Sequence, residues 1–173
     1  GLSHALPYST FIMMDALQNI GDTKFISKFD AVLVLGGDNC FTCVSHLVND
    51  TPVLGINSDP ERSIGCLTRY SIYNNKDISK LAETLDSEEY NVEHWTRLKA
   101  TLDGEDIVPA TSEYFFGERQ RNHMSRHVVV TSAGEREEKS SGIIFATGAG
   151  STGWYSSAVT GLDNSWRVTE PKA

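Results

Sequence analysis

The stretch Ala31-Val-Leu-Val-Leu-Gly-Gly-Asp-Asn39 constrains the fold more than any other part of this sequence. A short apolar run followed by paired glycines predicts a buried strand that ends in a sharp turn. Such a turn presents backbone N–H groups and the carboxylate of Asp38 at the edge of a sheet, a place suited to phosphate chemistry. From these residues alone, two interpretations stay open. Asp38 accepts a proton or helps to hold a metal-bound triphosphate, or Asp and Asn simply tolerate the geometry of the turn.

The residues around this stretch predict a parallel α/β unit. Apolar periodicity and turn residues predict a helix over residues 8–20, a strand over 31–35, a helix over 41–48, a strand over 53–56, a polar loop over 57–63 and a helix over 77–85. A strand, a helix and a second strand in this order are typical of a parallel sheet.

The periodicity changes after residue 88. Residues 97–102 alternate between apolar and polar, and Asp103-Gly104 is a strong hairpin signal. Residues 128–131 and 143–145 continue the strand-rich pattern, with turns near 133–134 and 140–142. We therefore expect two domains, an α/β domain over residues 1–88 and a mostly β domain over residues 89–173.

The charge and the hydrophobic pattern of the sequence argue against two kinds of binding partner, nucleic acids and membranes. Fifteen basic and 23 acidic residues give a net charge of −8, which repels nucleic-acid backbones, so we expect no nucleic-acid partner. No apolar run approaches the roughly 20 residues that span a bilayer, so we expect no membrane association.

The three cysteines are too few, and odd in number, for a disulfide framework, which indicates a reducing compartment such as the cytoplasm. Cys40 and Cys43 form a C-x-x-C pair without the second pair that a zinc site needs. We therefore expect both thiols to lie on one face of a helix and to pack in the protein core.

A second glycine-rich stretch runs from Thr147 to Tyr155 and follows a predicted strand. It offers backbone donors, hydroxyls and an aromatic face to a ligand, or it is a flexible loop. Gly148, Gly150 and Gly153 fit the spacing G-x-G-x-x-G, but only twenty residues follow Gly153. A helix, another strand and an acid cannot be completed in that length, which argues against a dinucleotide-dehydrogenase fingerprint.

His123 and His127 are four residues apart, the spacing of a metal pair on a helix. Strand-like residues follow them, and nearby arginines crowd the segment with positive charge, so we expect no metal there. A basic contact to a phosphate or ribose is a better interpretation, and a solvated loop is better still.

Taken together, these segments resemble the NAD kinase family, which is grouped with the diacylglycerol and sphingosine kinases. Gly36-Gly-Asp-Asn39 is similar to the family's Gly-Gly-Asp-Gly, and Gly55-Ile-Asn57 and Gly65-Cys-Leu-Thr68 are similar to its G-x-N and G-F-L-T motifs. Thr111-Ser-Glu113 resembles its Asn-Glu motif, and Thr147-Gly-Ala-Gly-Ser-Thr-Gly-Trp154 its T-P-T-G-S-T-A-Y. Residues 58–63 and 139–142 look most like the divergent branch that includes mitochondrial NAD kinase.

The resemblance implies a Rossmann-like parallel α/β domain followed by a β-sandwich domain, as in the NAD kinases and diacylglycerol kinases. The resemblance also implies that the chain lacks the first strand and much of the last sheet of that fold, and so is incomplete at both ends.

The resemblance also implies the roles of individual residues. Asp38 matches the catalytic aspartate, and no residue is assigned to a metal. The residues that match the NAD and ATP contacts are Gly36, Gly37, Asn39, Asn57, Ser112, Glu113, His123, Lys139, Ser141, Gly150, Ser151, Thr152, Gly153, Trp154 and Ser157. The implied substrates are NAD and ATP with a divalent metal, usually Mg²⁺.

The activity implied is ATP-dependent phosphorylation of the adenosine-ribose 2′-hydroxyl of NAD to give NADP. A homodimer or homotetramer is also implied, and the mitochondrial matrix is an alternative location. Asn39, Ser112 and Ser141 depart from the family pattern. A nucleotide-binding protein without turnover, and a lipid or small-alcohol kinase of the same superfamily, therefore remain alternatives.

Overall fold

The computed structural model describes residues 23–120 and 122–164, together with the single residues Thr10 and Ile12. Apart from Thr10 and Ile12, the helix predicted over residues 8–20 lies outside these described residues. The chain divides into two compact units between Trp95 and Thr96, a few residues after the change of periodicity. Each unit is described by itself.

The first unit contains a three-stranded parallel sheet in the order β1-β2-β3. Its elements are α1 (Thr23–Ile26), β1 (Val32–Gly36), α2 (Asp38–Ser45), β2 (Val53–Asn57), β3 (Tyr70–Ser71) and α3 (Asn75–Asp86). The predicted strands 31–35 and 53–56 are confirmed, and they pair in parallel with Gly36 opposite Asn57. The polar loop after β2 is also confirmed.

The helix α2 begins three residues earlier than predicted. The sequence pattern placed its start at Phe41, but the helix starts at Asp38 directly after an extended Gly37. An acidic residue in the first turn interacts favourably with the positive end of the helix dipole, which helps the helix to begin there. The helix also ends at Ser45, earlier than the predicted residue 48.

The core of the first unit forms where α1 and α2 cover the sheet. Ile26, Val34, Val44 and Val48 are buried together, and Cys40 packs against them. Each such side chain contributes about 1.5–3 kcal/mol when fully buried. The prediction that Cys43 also packs in the core is wrong, because this thiol is exposed. Phe41, Val44 and Ser45 form the buried stripe of α2, and Cys43 lies outside that stripe.

The second unit consists of antiparallel strand pairs followed by a helix. Its elements are β4 (Leu98–Leu102), β5 (Glu105–Ala110), β6 (Glu113–Phe116), β7 (Ser125–Thr131), β8 (Gly134–Ser140), β9 (Ile143–Ala146), a 3₁₀ turn (Gly150–Thr152) and α4 (Trp154–Asn164). The pairs are β4 with β5, β6 with β9, and β7 with β8. The predicted hairpin turn is confirmed, since Asp103 and Gly104 both adopt positive φ, as two-residue hairpins favour.

The observed fold class is therefore a parallel three-stranded sheet with helices, followed by antiparallel strands. Among the described residues, no helix is both long enough and apolar enough to cross a membrane.

Candidate functional site

Asp38 lies at the carboxyl edge of the parallel sheet, where the sequence predicts a site. Gly36 ends β1, Gly37 stays extended, and Asp38 is the first residue of α2. A Cβ on Gly36 would lie 2.7 Å from the Cys40 sulfur, so the turn into the helix requires a residue without a side chain here. A Cβ on Gly37 would lie 4.0 Å from the Ser63 hydroxyl oxygen, an ordinary contact distance, and the residue is half-buried.

The carboxylate of Asp38 accepts four hydrogen bonds from the segment between β2 and β3. Its Oδ1 accepts from the backbone N–H of Leu67 at 2.8 Å, from the N–H of Thr68 at 3.1 Å and from the Thr68 hydroxyl at 3.2 Å. Its Oδ2 accepts a single hydrogen bond, from the N–H of Cys66 at 3.0 Å. The carboxylate is thus fixed in orientation by residues about thirty positions further along the chain.

Asn57 holds the loop that carries these donors. It is 1% exposed at the end of β2, and its Nδ2 donates to the carbonyl of Ser63 at 2.8 Å. Its Oδ1 accepts from the N–H of Asp59 at 3.0 Å. A buried amide that satisfies both ends of a loop specifies that loop's conformation. Asn57 therefore lies beside the site, but its side chain is bound to the chain itself.

Gly65 explains how the loop turns toward Asp38. Its φ is +66°, and a Cβ there would lie 2.6 Å from Nδ2 of Asn57 and 2.8 Å from the carbonyl oxygen of Thr68. Only glycine fits such a position without strain. Asp38, Asn57 and residues 65–68 together form what we call the Asp38 cluster.

The second unit gathers a separate set of predicted residues. Glu113 begins β6, Ser112 directly precedes it, and the Ser112 hydroxyl donates to the Glu113 carboxylate. Gly150 is buried against them, since a Cβ on Gly150 would lie 2.9 Å from Oε2 of Glu113 and would overlap the Ser112 carbonyl. The predicted Asn-Glu-like segment and the glycine loop are thus brought together.

Thr147 holds this contact in place. It begins the glycine-rich stretch, but no site role was predicted for it. Its buried hydroxyl donates to the Thr111 carbonyl at 2.6 Å and accepts from the N–H of Gly150 at 3.0 Å. Its own N–H donates to the Ser112 carbonyl at 2.9 Å. A threonine three residues before a glycine was the available signal, because threonine hydroxyls often bond to nearby backbone. Thr111, Ser112, Glu113, Thr147 and Gly150 form the Glu113 cluster.

The glycine loop beyond Gly150 is held by its own short-range hydrogen bonds. The Ser151 hydroxyl donates to Gly148, the Thr152 hydroxyl to Ala149 and the Ser157 hydroxyl to Gly153. The side chains of Ser151, Thr152 and Ser157 are exposed. Their hydrogen bonds hold these side chains in place, and their exposure leaves them accessible to a ligand.

Trp154 begins α4 and its ring contacts Phe115, with ring centroids 4.9 Å apart and an angle of 44° between the ring planes. Trp154 is 50% exposed and Phe115 is 42% exposed. These two rings therefore offer a partly open aromatic surface beside the glycine loop, and Phe115 was not among the predicted residues.

The structure does not bring every predicted residue to one of these clusters. Asn39, His123, Lys139 and Ser141 are exposed. Lys139 lies on β8 opposite Arg126, and His123 precedes β7. Among the described residues of each unit, no hydrogen bond joins the Asn39 side chain to Asp38, or those of His123, Lys139 and Ser141 to Glu113, so their predicted contacts stay predictions.

The described residues contain no group of three or more histidines, cysteines, aspartates or glutamates placed to hold a metal ion. Asp38 is the carboxylate predicted to be catalytic, and its Oδ1 already accepts three hydrogen bonds from the chain.

No family model matches the chain. Two curated relatives do. The chain is 27% identical over 175 aligned positions to mitochondrial NAD kinase 2 of Rattus norvegicus, an alignment that covers 77% of the chain and 41% of the relative. It is 28% identical over 131 positions to the NAD kinase of Chlorobaculum tepidum, which covers 75% of the chain and 44% of the relative.

Together these two matches support membership of the NAD kinase family. The chain spans less than half of the length of each NAD kinase that it matches.

Proposed function

We propose that this chain is the part of an NAD kinase that transfers a phosphoryl group from ATP to the adenosine-ribose 2′-hydroxyl of NAD. The observation that carries the proposal is the fixed carboxylate of Asp38 at the carboxyl edge of a parallel sheet, in the first turn of the helix that follows Gly37. The names of the two curated relatives support the choice of NAD over other alcohols.

In the proposed reaction, the 2′-oxygen of NAD forms a bond to the γ-phosphorus of ATP as the bond from that phosphorus to the bridging oxygen breaks. ADP leaves, and the hydroxyl proton passes to Asp38. Oδ2 is the suitable acceptor, because it carries one protein hydrogen bond while Oδ1 carries three. Positioning of the reacting groups, together with electrostatic stabilisation of the transferring phosphoryl group, supplies most of the catalysis in phosphoryl transfer.

Magnesium enters the proposal as part of the Mg-ATP substrate. This fits the residues present, because Mg²⁺ usually keeps several waters and binds through substrate phosphates with one or two carboxylates. In this proposal the N-terminus of α2, which follows Gly37, faces the phosphates.

The Glu113 cluster is proposed to bind the dinucleotide. Glu113 has one carboxylate oxygen engaged by Ser112, which leaves the other to accept hydrogen bonds from ribose hydroxyls. The aromatic surface of Trp154 and Phe115 would take the face of a base. Gly36, Asn39, Asn57, His123, Lys139, Ser141, Ser151, Thr152, Gly153 and Ser157 remain proposed contacts to NAD or ATP.

The rest of the functional assignment belongs to the same proposal. A β-sandwich built on the antiparallel pairs of the second unit, and assembly as a homodimer or homotetramer, are expected in the full-length protein. The proposed location is the cytoplasm, and the mitochondrial matrix is the alternative, which the word mitochondrial in the name of the rat relative supports.

One observation favours a second candidate, a nucleotide-binding protein without turnover. All four donors on the Asp38 carboxylate come from the chain, which is also the arrangement expected of a purely structural aspartate.

One experiment separates these functions. Full-length protein is incubated with NAD and Mg-ATP, and NADP is measured with an NADP-specific dehydrogenase, while calorimetry measures NAD binding. A kinase makes NADP. Binding of NAD without NADP supports the second candidate, and phosphorylation of diacylglycerol or sphingosine in preference to NAD supports a lipid kinase.

A further inference from the structure

The two oxygens of the Asp38 carboxylate are unequal in their surroundings. A carboxylate oxygen can accept about two strong hydrogen bonds in its plane. Oδ1 has three donors between 2.8 and 3.2 Å, and Oδ2 has one at 3.0 Å. Oδ1 is therefore saturated, and Oδ2 keeps the capacity to accept a further proton donor.

Three of the four donors are backbone N–H groups, whose positions follow from the loop. The Thr68 hydroxyl is the only side-chain donor among the four. Thr68 is 1% exposed, so its side chain has little freedom to choose another partner. Its N–H and its hydroxyl both reach Oδ1, so one residue holds this oxygen from two directions.

We propose that Thr68 is a positioning residue, whose hydroxyl turns Oδ1 of Asp38 toward the loop so that Oδ2 faces the reacting hydroxyl. This inference rests on the proposed kinase function. Packing alone does not require this hydroxyl, because valine has nearly the same shape as threonine and carries a methyl group in its place.

Substitutions at two threonines test the inference. Thr68→Val removes the hydroxyl and Thr68→Ser keeps it. Thr42→Val is the matched control, because the Thr42 hydroxyl donates at 3.0 Å to the backbone carbonyl of Asp38 and not to its carboxylate. Thermal unfolding of each full-length variant checks that it is folded.

We expect Thr68→Val to lower kcat for NADP formation roughly tenfold, with KM for NAD changed less than about twofold, because a hydrogen bond to a charged group is lost while dinucleotide contacts remain. Thr68→Ser should restore most of kcat, and Thr42→Val should keep it. A wild-type kcat in Thr68→Val, or a serine variant as slow as the valine variant, would overturn the inference. If Thr68→Val does not fold, Thr68→Ala against Thr68→Ser makes the same comparison.

If the wild-type protein makes no NADP, the proposed function is refuted. Crystal structures of the variants still test whether the Thr68 hydroxyl orients the Asp38 carboxylate. A carboxylate of Asp38 that rotates in Thr68→Val and keeps its orientation in Thr68→Ser supports the positioning role. An unchanged orientation in Thr68→Val overturns it.

Discussion

Gly150 and Ser112 lie in such close contact that a Cβ on the glycine would overlap the serine carbonyl, and it would also lie 2.9 Å from Oε2 of Glu113. The glycine loop can therefore reach β6 only without a side chain at this position. This contact fixes the place of Glu113 relative to the loop.

Gly150→Ala is expected to destabilise the second unit by about 1–3 kcal/mol, because the added methyl forces backbone apart in a packed region. It should also weaken NAD binding if the Glu113 cluster binds the dinucleotide. Gly148→Ala is the matched control, since nothing lies within 4 Å of its Cβ position. Urea unfolding and calorimetry with NAD measure the two effects. Equal unfolding midpoints for the two variants would contradict this account of the contact.

Two buried threonines of the same cluster should respond differently to the same change. The Thr147 hydroxyl bonds to the Thr111 carbonyl and to the Gly150 N–H, whereas the Thr111 hydroxyl has no hydrogen-bond partner among the described residues. We expect Thr147→Val to lower the free energy of unfolding by about 1–3 kcal/mol and Thr111→Val to leave it nearly unchanged. Chemical denaturation measures both, and a larger loss at Thr111 would show that the hydrogen-bond assignment is wrong.

Tyr70 makes the stability of the first unit depend on pH in the alkaline range. Burial, and then the negative charge of Asp77, raise the pKa of Tyr70 above its ordinary value of 10.0. The folded protein thus holds this proton more tightly than the unfolded chain, so the stabilisation is complete below pH 10.0 and is lost as the pH rises through the folded pKa.

Tyr70→Phe should therefore lower stability at pH 8, where it loses the hydrogen bond to the Asp77 carbonyl, but flatten the loss of stability above pH 10. Urea unfolding at a series of pH values measures this slope. Tyr73→Phe is the control, because Tyr73 is 70% exposed. An identical slope in wild type and Tyr70→Phe would refute the prediction.

The elements with strong local signals were predictable from the sequence. The strand before Gly36 is a continuous apolar run, and Asp103-Gly104 is a two-residue turn that needs positive φ at both residues. The start of α2 was placed too late, because the pattern of apolar residues begins at Phe41 while the helix begins at the acid before it. The two-residue strand β3 was missed, since a strand of that length carries no periodicity.

The sequence indicated several residues of the candidate site, but it did not indicate which residues form hydrogen bonds with them. Asp38 stood out because it follows paired glycines, yet its hydrogen bonds come from residues 66–68, about thirty positions away. Contacts at that separation depend on the tertiary fold and leave no local pattern. Thr68 and Thr147 lie in motifs that the sequence indicated, but their hydrogen bonds were not predicted for this reason, nor was the contact of Phe115 with Trp154.

The rate of NADP formation by Asp38→Asn tests the central claim most directly. The full-length variant is compared with wild type and with Asp86→Asn, an exposed aspartate at the end of α3, and thermal unfolding confirms that each is folded. We predict that Asp38→Asn loses at least about 100-fold in kcat, the contribution typical of a positioned proton acceptor, while Asp86→Asn keeps wild-type kcat. A folded Asp38→Asn that makes NADP at the wild-type rate would contradict the account.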